Sequence, residues 1–145
     1  MATPKLVKFE PWHIEKVEPQ PDQSTEKPML DSKIAEALAA HPSYSLVDGD
    51  KVYGCGGIIE IWDGRASLWA LFSRDIGKWL GIARKAALRL VKQSNCRRFE
   101  FDVAEGFTAG HRWARTLGFE VEAPLMKAFY PDGRNATLYA LVKGG

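Results

Sequence analysis

Apolar positions change their spacing several times along the chain, and each change marks an element. Leu6 to Phe9 is a short apolar run closed by Pro11, which predicts a first strand ending at a turn. Trp12 to Val17 reads as one or two helical turns. Glu18 to Pro28 then loses its apolar residues to Pro, Gln, Asp, Ser, Thr, Glu and Lys, and reads as a surface loop long enough to be functional. Leu30, Ile34, Ala37, Leu38 and His41 return at helical spacing, with Asp31 or Ser32 as cap and Pro42 as stop.

Two Asp-Gly pairs, Asp48-Gly49 and Asp63-Gly64, punctuate the next stretch, because glycine accepts the positive φ of a tight hairpin turn. They predict a meander of strands at Ser43 to Val47, Val52 to Trp62 and Arg65 to Phe72. The last is apolar on both faces and therefore central. Gly54, Gly56 and Gly57 crowd the middle strand, which signals a bulge or a close backbone approach. From Gly77 to Gln93, Trp79, Leu80, Ala83, Ala87, Leu90 and Val91 form one helical stripe opposite Lys78, Lys85, Arg89 and Lys92. Arg97 to Val103 alternates as a strand and closes a βαβ crossover. Thr108 to Leu117 is a further helix stopped by Gly118. Phe119 to Tyr130 and Ala136 to Val142 are strands joined through the turn residues Pro131-Asp132-Gly133-Arg134. No internal repeat or second domain is visible, so residues 1–145 read as one domain.

Composition narrows the function classes. Hydrophobic residues make up 46% and charged residues 26%, enough for a core without staples. Twenty basic against eighteen acidic residues leave a net charge of +2, so attraction to an anion must be local. Cys55 and Cys96 cannot form a disulfide scaffold, and with His13, His41 and His111 scattered singly no metal-site spacing appears. Met1-Ala2-Thr3-Pro4-Lys5 has no signal pattern and no apolar run is membrane-length, so a cytoplasmic location with no membrane partner is expected. There is no G-x-S-x-G elbow, and Gly54-x-Gly56-Gly57 sits within a strand instead of opening a helix, which disfavours a serine hydrolase and a dinucleotide fingerprint.

The segment Ser73-Arg74-Asp75-Ile76-Gly77-Lys78-Trp79 carries the main chemical expectation. A strand end that turns directly into a helix offers free N–H groups and a positive dipole end to a phosphate, and Arg74 and Lys78 add full charges. The alternative is a plain βα loop with a solvated basic face. Eight Lys or Arg against one Asp from Arg74 to Arg98 also suit nucleic acid, but they alternate with a core stripe, which disfavours that partner.

The order of elements resembles the Gcn5-related N-acetyltransferase superfamily over nearly the whole chain. The resemblance implies an α/β fold with a mixed, mostly antiparallel central sheet of about seven strands, flanking helices and one parallel βαβ crossover. It also implies acetyl-CoA as cosubstrate and an amine or protein acceptor. Arg74-x-x-Gly77-x-Trp79 matches two of three fixed positions of the family's pyrophosphate loop, with Trp79 standing where the family has Gly or Ala. Leu71, Phe72, Ser73, Arg74, Gly77 and Lys78 are therefore the expected cofactor-binding residues. Arg115-Thr116-Leu117-Gly118-Phe119 is similar to the second family landmark, yet Phe107 and Ala114 stand where many members carry a polar Asn and a proton-donating Tyr.

Arg112 to Glu120, Tyr130 to Arg134, Leu138-Tyr139-Ala140 and Leu68 to Leu71 further resemble acetyltransferase-like proteins of tailed phages, the internal virion protein A family. That resemblance implies the host cytoplasm, virion components or a homodimer as further partners, and virion assembly as the alternative to catalysis. Acetyl transfer requires a base, for which Glu60, among Ile58, Ile59 and Ile61, is the first candidate, since apolar surroundings raise a carboxyl pKa. Its bland reading is a half-exposed strand residue. Glu105 is the second candidate, or else a cap for the helix that follows. His111 reads as a surface helix residue, and Trp62 and Trp69 as core or as walls of an acceptor pocket.

Overall fold

The computed structural model describes residues 3–24 and 27–144. Met1 and Ala2 of the amino-terminal reading, Thr25 and Glu26 of the loop reading, and Gly145 lie outside the described residues. The strands are β1 (Lys5–Lys8), β2 (Ser43–Asp48), β3 (Lys51–Trp62), β4 (Arg65–Phe72), β5 (Arg98–Ala104), β6 (Glu120–Met126) and β7 (Ala136–Val142). The helices are α1 (His13–Lys16), α2 (Ser32–Ala39), α3 (Leu80–Gln93) and α4 (Thr108–Thr116), with short 3-10 turns at Pro21–Gln23, Lys27–Met29 and Gly77–Trp79. The strands form one mixed sheet in the order β1-β2-β3-β4-β5-β7-β6. β4 and β5 run parallel, as the βαβ reading requires, with Arg65 opposite Arg98 and Ser67 opposite Glu100. Two compact units share the chain. One holds the described residues up to Ile59 with Trp69–Ser94, the other Glu60–Leu68 with the described residues from Asn95 onward.

In the first unit, the glycine-rich strand behaves as its composition predicts. Leu46 faces Gly54 but Val47 faces Val52, so Tyr53 is an extra residue and β3 bulges there. A Cβ on Gly57 would lie 2.5 Å from the Pro42 carbonyl oxygen, and one on Gly56 2.8 Å from that of Trp69, so neighbouring backbone excludes any side chain. Phe9, Ile14, Val17, Ala35, Leu38, Val52, Cys55 and Leu71 make one buried cluster, while Leu46, Tyr53 and Ile76 centre another with Trp79 packed against it. Asp31 caps α2 by accepting the Ile34 N–H at 3.0 Å. The α2 stripe is displaced from its expected position, whereas Trp79, Leu80 and Ala83 of the α3 stripe pack against the second cluster as expected. α2 buries Ala35 and Leu38 and leaves Ile34 exposed, and α3 buries Ala86, Leu90 and Val91.

In the second unit, Phe99, Val103, Phe107, Ala114, Leu117, Phe119 and Tyr139 are buried. Phe101 stacks on Tyr139 and meets Phe119 edge-on. The run expected to reach Tyr130 ends as a strand at Met126, because Ala128 turns the chain at φ 51 and gives its N–H to the Asn135 side chain. Glu100 is buried on β5 although it lies on the polar side of the alternation. Its carboxylate accepts from Arg65, and from Arg98 at 2.6 Å, and Arg98 also forks onto Glu122 at 2.6 and 2.9 Å.

Candidate functional site

In the first unit, the end of β4 and the turn that follows are built by local hydrogen bonds. The Ser73 N–H donates to the Tyr53 carbonyl at 2.8 Å, and the Ser73 hydroxyl and carbonyl accept from Asp75 and Ile76. The Trp79 N–H returns to Ile76 at 2.7 Å, and Gly77 takes φ +22. Among the described residues, the N–H groups of Gly77 and Lys78 have no backbone partner, as at any helix start. Asp75 forms an ion pair with Lys51 at 2.5 Å, and that hydrogen bond raises the lysine pKa. Asp75 is thus paired, the Glu18 carboxylate also acts on Lys51, and Arg74 and Lys78, both exposed, bring positive charge to the turn. Trp79 stands where the resemblance has a small residue. Its indole packs edge-on to Tyr53 against the apolar cluster, with the Lys78 ammonium 4.8 Å from the ring centre.

The loop expected to be an irregular surface segment is tied to this turn. Pro19 bridges Ser73 in antiparallel fashion, Gln20 donates its N–H to the Phe72 carbonyl, and the Arg74 N–H donates to the Glu18 carbonyl, both at 3.1 Å. Gln23 is buried and clamps β4, donating to the Ala70 carbonyl and accepting from the Phe72 N–H, each at 2.9 Å. Arg74 Nε donates to the Pro19 carbonyl at 3.3 Å. The expectation of free N–H groups along the turn thus holds at Gly77 and Lys78 and fails from Phe72 to Ile76. These ties join residues about 50 positions apart, and no local pattern announces them.

In the second unit, Glu60 stands in the exposed stretch that ends β3. The apolar setting expected for it is absent, because Ile61 and Trp62 beside it are exposed as well. Trp62 is not core: its ring is exposed under the Arg65 guanidinium, at 4.4 Å, and it lines an open pocket with Arg65, Arg97, Arg98 and Glu100. Glu105 is exposed at the end of β5. Its N–H donates to the Asn135 carbonyl at 2.9 Å, and Phe107 takes the cap position of α4 with no side-chain cap bond, so Glu105 does not cap that helix. Phe107 and Ala114 are buried apolar residues.

His111 is half-buried on α4, with both ring nitrogens hydrogen-bonded. Its Nε2 bonds the Ala104 carbonyl at 3.1 Å, which fixes the proton there in the neutral ring, so Nδ1 accepts from the buried Tyr139 hydroxyl at 2.7 Å. This pair escaped sequence reading because its members lie 28 residues apart on a helix and a strand. In the first unit, burial pushes the Cys55 thiol up to about 12, so it is no nucleophile. Among the described residues no cluster of His, Cys, Asp or Glu could hold a metal ion, and no helix is long and apolar enough to cross a membrane.

No protein-family profile and no curated protein matches the chain. Solved structures do match. Ard1 from Thermoplasma volcanium superposes with a TM-score of 0.76 at 16% identity, over 97% of this chain and 98% of that one. An acetyltransferase of the GNAT family from Bacillus anthracis gives 0.70 at 12% identity, over 99% and 97%. YncA from Salmonella typhimurium, solved with its cofactor acetyl-CoA, gives 0.67 at 12% identity, over 99% and 96%. The mixed seven-stranded sheet, with its one parallel pair and four helices, has the fold of the Gcn5-related N-acetyltransferases.

Proposed function

We propose that the chain acts as a single-domain N-acetyltransferase that binds acetyl-CoA at Leu71, Phe72, Ser73, Arg74, Gly77 and Lys78 and passes the acetyl group to an amine. The observation that carries this reading is the turn after β4, where the exposed Arg74 and Lys78 stand beside Gly77 and Lys78 N–H groups that have no backbone partner among the described residues, and Asp75 is paired with Lys51. That donor set suits a diphosphate. When bound, acetyl-CoA supplies an activated thioester. The chain's own tasks are to hold the phosphates and to remove a proton from the ammonium, so that the amine lone pair can form the C–N bond as the C–S bond breaks with its electron pair on sulfur, the CoA thiolate leaving as the thiol after taking up the proton the acylated nitrogen sheds. Glu60 is the first candidate for that proton, with Glu105 second.

Loss of the Arg74 guanidinium tests the binding half. Calorimetric titration with acetyl-CoA should show Arg74→Ala binding about 10- to 100-fold more weakly than the wild type, the usual worth of a charge-assisted phosphate contact. Equal affinity would remove Arg74 from the site.

A second reading is a binding or virion-assembly protein that keeps the fold without the chemistry. It rests on the buried apolar Phe107 and Ala114 at positions where polar groups were expected, and on the phage-protein resemblance of Arg112 to Glu120. Fold alone does not choose between them.

A further inference from the structure

We propose that the Glu18–Gln23 segment is a built-in strap that occupies the β4 edge acetyl-CoA needs and must be released for tight binding. The inference rests on the acetyl-CoA reading above. Backbone groups along a strand point alternately to its two sides. The Ser73 N–H goes to Tyr53 on β3, so Ala70, Phe72 and Arg74 direct theirs to the opposite side, where the strap meets all three. Gln23 shows what that edge recognises. Its carboxamide donates to the Ala70 carbonyl and accepts from the Phe72 N–H at 2.9 Å each, as a peptide group of an added strand would. The pantetheine arm of acetyl-CoA carries two amides, so it is the kind of ligand this edge pairs with, and it competes with Gln23 for the same two groups.

Arg74 links this competition to the phosphate end. Its Nε donates to the Pro19 carbonyl and so helps hold the strap, at 3.3 Å, the longest of these contacts. A phosphate that draws the guanidinium away removes that tie. Binding at the turn and release of the strap are then coupled through one side chain, and the strap lowers apparent affinity by the fraction of molecules in which it is closed.

The test is calorimetric titration of the full chain with acetyl-CoA, comparing wild type with Gln23→Ala and Gln20→Pro. Gln20 already has φ −60 and precedes a proline, so Gln20→Pro keeps the local conformation while it deletes the N–H bonded to Phe72 together with the Gln20 carboxamide. Both variants should bind about tenfold tighter than wild type, since each loses hydrogen bonds of the closed strap but none that the ligand makes. Hydrogen exchange at the Phe72 and Arg74 amides should also be faster in the ligand-free variants. Wild-type binding that both variants, with unchanged thermal melts, match or fall below would overturn the strap alone and show that the segment supports the site. Absence of binding by all three proteins at millimolar acetyl-CoA would overturn the acetyl-CoA reading, and the strap with it.

Discussion

Glu60→Gln should lower acetyl transfer to a responsive amine by about 10²- to 10⁴-fold while leaving acetyl-CoA affinity unchanged. An alkylammonium with a pKa near ~10 is almost wholly protonated at neutral pH and has no lone pair to attack with. The carboxamide keeps the shape of the side chain but cannot take the proton. Because Glu60 is exposed, a proton it accepts can pass on to water, which suits repeated turnover. The measurement is kcat/KM over a panel of small amines and protein lysines, with Glu105→Gln as comparator. Full activity in Glu60→Gln together with loss in Glu105→Gln moves the role to Glu105. A wild type that acetylates nothing in the panel, yet binds a virion or host component tightly, favours the assembly reading.

The largest stability effect is expected at Glu100. Glu100→Ala leaves Arg65 and Arg98 facing each other without the carboxylate they share, and should cost about 3 kcal/mol, the low end for breaking a buried pair, because both arginines keep some exposure. Stability should depend on pH through the same group. The Arg65 hydrogen bond, and after it the Arg98 bond, hold the Glu100 carboxyl below its ordinary value of 4.5 against the opposing push of burial. A carboxyl whose pKa is lower folded than unfolded contributes its full stability above the unfolded value and loses it as pH falls through the folded one. Thermal melts from about pH 7 to 3 should therefore show wild type losing its advantage over Glu100→Gln on the acid side. An advantage that persists unchanged at the acid end would contradict this account of the cluster.

Legibility in the sequence followed the range of the interactions. The Asp48-Gly49 and Asp63-Gly64 turns, the Asp31 cap and the crowding of Gly54, Gly56 and Gly57 are local chemistry, and each appears where its residues predict. The turn at Ser73 to Trp79 was equally legible as a strand-to-helix junction with two cations. What filled it was not. Gln23 reads as one polar residue in a polar loop, and only folding brings it to Ala70 and Phe72. Glu60 shows the opposite failure, since three neighbouring isoleucines suggested burial at a strand end that tertiary structure leaves bare. The contact of Trp79 with Tyr53, 26 residues earlier, is likewise invisible locally.

The central claim is that acetyl-CoA phosphates sit on the turn after β4, and amide chemical shifts read this most directly. On titration of the uniformly labelled full chain with acetyl-CoA, the largest changes should fall on the Gly77 and Lys78 N–H resonances, the donors that no backbone group of the described chain occupies. Saturable binding with both resonances unmoved, or the absence of any change at millimolar ligand, would contradict the claim.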